Sequence, residues 1–245
     1  MIPPPKSAHR NQKRDISREG IGVTERLGAE VSPSGSVPAA PWDALLLLGP
    51  TGSGKTPLGA MLEARGWHGR PCVHFDFGAT LRSQVAWSRP DDLLSREDLE
   101  FLADVLRRGV LLEDQHFPLA ERILRGFLRE RGVERSAAVV VLNGFPRHLG
   151  QARALEGLLR VRAVVFLHAS PQTVIQRIQS NAAGDRSGRD DDDLPSVQAK
   201  LALFDQRTAP LVDYYRCRGV PVFRIEVETS TTAEDMWQRL HGAQG

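Results

Sequence analysis

From residue 42 onward the chain alternates between two kinds of segment. Short runs, apolar at nearly every position, fall at 44–48, 72–75, 137–142, 163–167 and 220–225. Hydrophobicity that is continuous rather than alternating marks strands buried on both faces, as in a parallel sheet covered by helices. The longer segments between them carry apolar residues every three or four positions and read as amphipathic helices. Residues 95–108 open with Ser95-Arg96-Glu97-Asp98, a capping signal, and place Leu99, Leu102, Val105 and Leu106 on one face. Helices are also expected at 114–130, 149–159, 171–178, 197–216 and 231–240. Alternating strands and helices with right-handed crossovers predict an α/β fold, doubly wound in three layers. In such a fold ligands bind outside the carboxyl ends of the strands.

Residues 1–41 break this pattern. They are rich in Pro, Ser, Gly and charge, and only Ile16, Ile21, Val23 and Leu27 give a weak apolar spacing. A disordered extension is expected there, with the domain proper at 42–245. A basic arm for an acidic partner is the other option, but Asp15, Glu19, Glu25 and Glu30 interrupt its cations.

The first apolar run leads into Gly49-Pro50-Thr51-Gly52-Ser53-Gly54-Lys55-Thr56, which fits G-x-x-x-x-G-K-[ST] at every fixed position. A tight glycine-rich turn lets consecutive N–H groups converge on an anion, and the helix that follows adds its positive end. Lys55 places a charge between the β- and γ-phosphates of a nucleotide such as ATP, and the Thr56 hydroxyl can ligate Mg²⁺. Pro57 belongs in the first helical turn, where proline costs least.

Other stretches end strands near the same edge. Phe75-Asp76-Phe77-Gly78-Ala79-Thr80-Leu81-Arg82 pairs a glycine turn with an arginine one helical turn later. That would hold an anion, or be an ordinary strand-to-helix turn. Asn143-Gly144-Phe145-Pro146-Arg147 follows the third strand. Gly144 permits close approach of a ligand and Arg147 offers a forked donor for phosphate. Gln151 carries an amide able to read a base edge. The charged run 185–193 would serve either as a solvated loop or as a mobile cover carrying Arg186 and Arg189 over phosphates. Lys200, on the helix beyond, either points back at the same phosphates or faces solvent.

Composition narrows the setting. The 245 residues, 41% hydrophobic, suffice for one domain with a sizeable core, and a formal charge of +2 gives no argument for nucleic acid or membrane. Cys72 and Cys217 are far apart, without a C-x-x-C, and read as free thiols in a reducing compartment. No apolar run has transmembrane length, and the N-terminus lacks the apolar centre of a signal peptide, so a cytoplasmic monomer is expected.

The motifs together resemble a family. NGFPRHLGQA (143–152) is similar to the DGFPR-x-x-x-QA segment of adenylate kinases and related nucleoside monophosphate kinases, and FGATLR (77–82) to their TGDxLR. GVLLEDQ (109–115) resembles their G-x-LVPD, SGRDDDD (187–193) their SGRxDDN, and TAPLVDYY (208–215) the segment that follows. The resemblance implies a five-stranded parallel sheet with helices on both faces, a monophosphate-binding segment at 78–112 and a short lid at 181–193. It implies ATP with Mg²⁺ as the donor and a nucleoside monophosphate, AMP first, as the acceptor. Residues 49–56 would hold the donor phosphates, with Thr56 and Asn143 at the metal and Arg177 near the donor base. Arg82 and Arg147, beside Phe77 and Gly78, would bind the acceptor phosphate, Gln151 and Gly144 would meet adenine, and Arg189 and Lys200 would complete the cationic set. The chain departs from the family at Asn143 (family Asp, which orients a water on Mg²⁺), at Phe77 and Ala79 (Thr and Asp), at Asn181 and at Lys200 (both Arg). Those departures motivate a second reading, a nucleotide-binding regulatory protein with little turnover. A third is an unrelated phosphate-loop kinase or ATPase.

Overall fold

A computed structural model describes residues 41–87, 93–133, 138–182, 184 and 193–242. The expected extension, apart from Pro41, lies outside these residues, as do Arg186, Arg189 and most of the expected lid.

Five parallel strands form one sheet in the order β2-β3-β1-β4-β5: β1 (Trp42–Leu48), β2 (Cys72–Asp76), β3 (Val139–Asn143), β4 (Leu159–His168) and β5 (Val222–Glu226). All five coincide with the apolar runs of the sequence. The leucines of β1 show why the hydrophobicity is continuous. Leu46 and Leu48 point into one core, with Val140, Leu142 and Val164. Leu45 and Leu47 point into the other, with Val139, Val141 and Val165. The second core is closed by α1 (Lys55–Arg65) and α9 (Ala233–Gly242), through Leu58, Leu62, Met236 and Leu240. Helices α2 (Phe77–Trp87), α3 (Arg96–Arg108), α4 (Phe117–Glu130), α5 (Leu149–Leu155) and α8 (Leu211–Arg216) cover the first. The remaining helices are α6 (Pro171–Gln179) and α7 (Leu194–Leu203).

The local signals behave as their chemistry dictates. Ser95 Oγ accepts from Asp98 N at 3.1 Å, and Asp98 Oδ2 accepts from Ser95 N at 3.0 Å, a reciprocal cap on α3. Thr232 and Asp235 make the same exchange at the start of α9. Pro57 is the third residue of α1, where no helical hydrogen bond is lost.

Two expected helices differ. The segment at 149–159 is helical only to Leu155, because Leu159 already pairs with Trp42 as the first residue of β4. The expected helix at 197–216 is α7, a π turn over Phe204–Thr208, and α8. Pro210 has no N–H to continue an unbroken helix, and the wide turn, closed by Ala209 N donating to Phe204 O at 2.8 Å, absorbs the defect.

Candidate active site

The carboxyl ends of β1, β2 and β3 open into one cavity, between the loop before α1 and helices α2, α3 and α7. Gly49, Thr51, Gly52, Gly54, Lys55 and Thr56 line it, while Pro50 and Ser53 do not. Ser53 is fully buried beneath the loop. The glycines at the two ends of the turn are required. Gly49 has φ +155°, and a Cβ there would lie 2.8 Å from Leu167 O; Gly54, at φ +97°, starts α1 from the left-handed region. Lys55 folds back on the loop, its Nζ donating to Gly49 O and Pro50 O at 2.7 Å each.

Opposite the loop, Phe77, Gly78 and Arg82 of α2 line the same cavity, as do Asn143 at the end of β3, Gly144, Arg147 and Gln151 beyond it, and Lys200 of α7. Arg82 is exposed and Arg147 half-buried, and neither guanidinium has a hydrogen-bond or ion-pair partner among the described residues. Burial pushes the Arg147 pKa down, yet an arginine stays charged at neutral pH. A half-buried cation without a counter-ion is costly unless an anion comes to it. The Arg147 backbone is held from both sides: its N–H donates to Gln151 Oε1 at 2.8 Å, and its carbonyl accepts from Thr208 Oγ1 at 2.8 Å.

Gln151 is buried, and its Nε2 also donates to Leu112 O at 2.8 Å. Each end of the amide therefore has a backbone partner, with one N–H and one lone pair left for a base. Arg177 does not line the cavity. It is buried, its Nε donating to Gly52 O at 3.0 Å and its Nη1 to the carbonyls of Glu228, Thr229 and Thr231 at 2.8–3.1 Å. Here it braces the phosphate loop from behind.

Asp76 is not among the candidate residues expected from the sequence. This last residue of β2 lines the cavity and accepts from Thr56 Oγ1 at 2.7 Å and from Asn143 Nδ2 at 2.8 Å, both through Oδ2. Asn143 Nδ2 also lies 3.1 Å from Thr56 Oγ1 and 3.4 Å from His74 Nε2. Burial holds the His74 pKa below its ordinary value, and the neutral ring packs over Gly59, where a Cβ would come within 2.2 Å of Nε2. The one available signal for Asp76 was its place, an acidic residue closing a strand at the ligand-binding edge. Thr56 and Asp76 together offer hydroxyl and carboxylate oxygens, the hard donors that Mg²⁺ takes alongside phosphate, while Asn143 turns its Nδ2 towards them.

A doubly wound parallel sheet with a phosphate loop after its central strand, and cations facing that loop across one cavity, defines a phosphotransferase of the P-loop kinase class. The family model described as AAA domain matches residues 48–198. The adenylate kinase of Xanthomonas campestris pv. campestris (strain 8004) is 34% identical over 181 residues, 71% of this chain and 86% of that one. The adenylate kinases of Xylella fastidiosa strains M23 and 9a5c are 30% and 32% identical over 207 residues, 82% of this chain and 98% of theirs. The chain belongs to the adenylate kinase family. Among the described residues no helix is long and apolar enough to cross a membrane.

Proposed function

We propose that this kinase transfers the γ-phosphoryl group of ATP to a nucleoside monophosphate, AMP first, giving two molecules of ADP. The observation that carries the reading is the half-buried Arg147, which has no partner among the described residues and faces the same cavity as the phosphate loop. Two anion subsites then share one chamber, as in-line transfer between two bound phosphates requires. The N–H groups of the loop cradle the donor phosphates. Lys55 exchanges its two loop carbonyls for the transferring group, and Arg82 and Arg147 hold and orient the acceptor phosphate. No covalent enzyme intermediate is needed. Bound Mg²⁺ would screen the charge of the donor phosphates, with Thr56 and its neighbours holding it. The relatives' name supports AMP, and so does the remaining hydrogen-bonding capacity of Gln151.

The test is ADP formation from ATP with AMP, GMP, CMP, UMP or dAMP, with and without Mg²⁺. Dominant turnover with AMP is the expected result. Dominance of another monophosphate would reject adenine reading at Gln151. ATP binding without turnover on any acceptor would replace the kinase reading by the regulatory one.

A further inference from the structure

The register of the sheet bears on Asn143. Strands β2 and β3 are parallel neighbours, and Asp76 and Asn143 are cross-strand partners at their carboxyl ends. The resemblance puts an acidic residue at position 143; here an amide stands there, and the carboxylate stands directly opposite, one strand over. The two side chains meet, Asn143 Nδ2 donating to Asp76 Oδ2 at 2.8 Å. Orientation of the amide follows from charge: its other end, Oδ1, would repel the carboxylate.

We propose that Asp76 supplies the carboxylate that holds the nucleotide-bound divalent cation, with Asn143 as its uncharged positioning partner. The carboxylate has thus crossed one step of the sheet rather than been lost. The reading rests on ATP·Mg²⁺ as the donor. Three arguments support it. Asp76 Oδ2 and Thr56 Oγ1 are 2.7 Å apart. Adjacent oxygens on a Mg²⁺ octahedron are separated by about 2.9 Å, from metal–oxygen distances of about 2.0–2.1 Å. Mg²⁺ is commonly held by one or two carboxylates plus phosphate oxygens and waters, so a lone Asp beside the loop threonine is a sufficient protein contribution. Finally, Asn143 Nδ2 lies within hydrogen-bond distance of both Asp76 Oδ2 and Thr56 Oγ1, at 2.8 Å and 3.1 Å, and holds the carboxylate beside the hydroxyl without adding charge. The amide at 143 is therefore the residue that a carboxylate at 76 calls for.

A structural alternative is that Asp76 only caps α2, since its Oδ1 accepts from Ala79 N at 2.9 Å. Asp76→Asn separates the two, because the amide oxygen keeps the cap while the charge goes. The experiment uses the full chain, Mn²⁺ as the probe and a non-hydrolysable ATP analogue. It measures Mn²⁺ affinity by electron paramagnetic resonance and analogue affinity by calorimetry, with and without metal. Asp76→Asn is expected to weaken Mn²⁺ in the ternary complex by at least about tenfold, as losses around metal sites typically do. Its metal-free analogue binding stays equal to or tighter than wild type. The double variant Asp76→Asn/Asn143→Asp, which returns the carboxylate to β3, is expected to bind Mn²⁺ within about threefold of wild type. Unchanged Mn²⁺ affinity in Asp76→Asn, or a double variant as weak as the single one, overturns the inference while leaving the nucleotide reading intact. Failure of the wild type to bind the analogue at all overturns both.

Discussion

The brace that Arg177 makes behind the phosphate loop can be tested without any ligand. Arg177→Met keeps a stem of similar length and removes every donor. In the wild type, Nε serves Gly52 O, while the two hydrogens of Nη1 are shared among the carbonyls of Glu228, Thr229 and Thr231. That amounts to about three hydrogen bonds from a charged donor, worth roughly 1.5–3 kcal/mol each. Glu228 and Thr229 are exposed, so water can recover part of the loss. Thr231 is buried and Gly52 half-buried, and the net cost comes to about 3–5 kcal/mol. With a urea m-value of about 2–3 kcal/mol/M for a domain of this size, the unfolding midpoint should fall by about 1–2 M. The melting temperature should fall by roughly 10–15 °C. Tryptophan fluorescence in urea, on ligand-free protein, gives the number. Nucleotide affinity should fall as well, because the loop carrying Gly52 loses its support. A ligand-free midpoint within about 1 kcal/mol of wild type, together with a large loss of ATP affinity, would refute the brace and return Arg177 to the donor base.

Two other perturbations have signed outcomes. Arg147→Met should raise the ligand-free melting temperature by a few degrees, since it removes from a confined site a cation without a partner among the described residues, yet weaken monophosphate binding by about 10²–10³-fold; a destabilised variant that still binds monophosphate would contradict the anion-site reading. Asp43 is shielded from water, which alone would raise its pKa, but hydrogen bonds from Arg70 at 2.7 Å and Arg160 at 3.0 Å outweigh this and hold it below the ordinary value of 3.8. Because the folded-state pKa is depressed, the stabilisation is present above about pH 4 and disappears as pH falls through the folded value. Asp43→Asn should therefore cost about 1–2 kcal/mol at pH 7, and its gap from wild type in urea should narrow progressively as pH falls below about 4; a gap independent of pH in the acid range would refute the ion-pair account.

The strands were legible because each had to bury both faces, and continuous hydrophobicity cannot be mistaken for an amphipathic pattern. Ends were less legible. Nothing in the composition of 156–162 says that the sheet needs Leu159 opposite Trp42, and that pairing ended a helix the local spacing would have continued. The phosphate loop was legible because its backbone geometry allows few residues at fixed intervals. Arg82, Arg147 and Lys200 were expected beside it only through the family resemblance, and the structure sets all three on the same cavity. The backbone partners of Arg177 were not legible for a different reason. A buried arginine near a phosphate loop can serve a ligand or serve backbone carbonyls, and only the positions of Glu228, Thr229 and Thr231, some fifty residues later, decide which.

Asn143 shows where reading along the chain stops. As one position in a string, it is an acid replaced by its amide, and the simplest inference is a weakened site. In the sheet, position 143 has neighbours on two strands, Leu47 on β1 and Asp76 on β2. Parallel strands lie only about 4.8 Å apart, so a carboxylate on β2 can reach the same phosphate-bearing corner as one on β3. A motif fixes residue type at a place in the sequence, whereas the cation requires only an oxygen of the right charge at a place in space. The two requirements coincide while the acid stays on one strand and separate once it moves to the next. If Asp76 holds the cation as proposed, restoring the familiar acid with Asn143→Asp alone is expected not to strengthen the site, whereas the paired exchange at 76 and 143 keeps one carboxylate at the same corner.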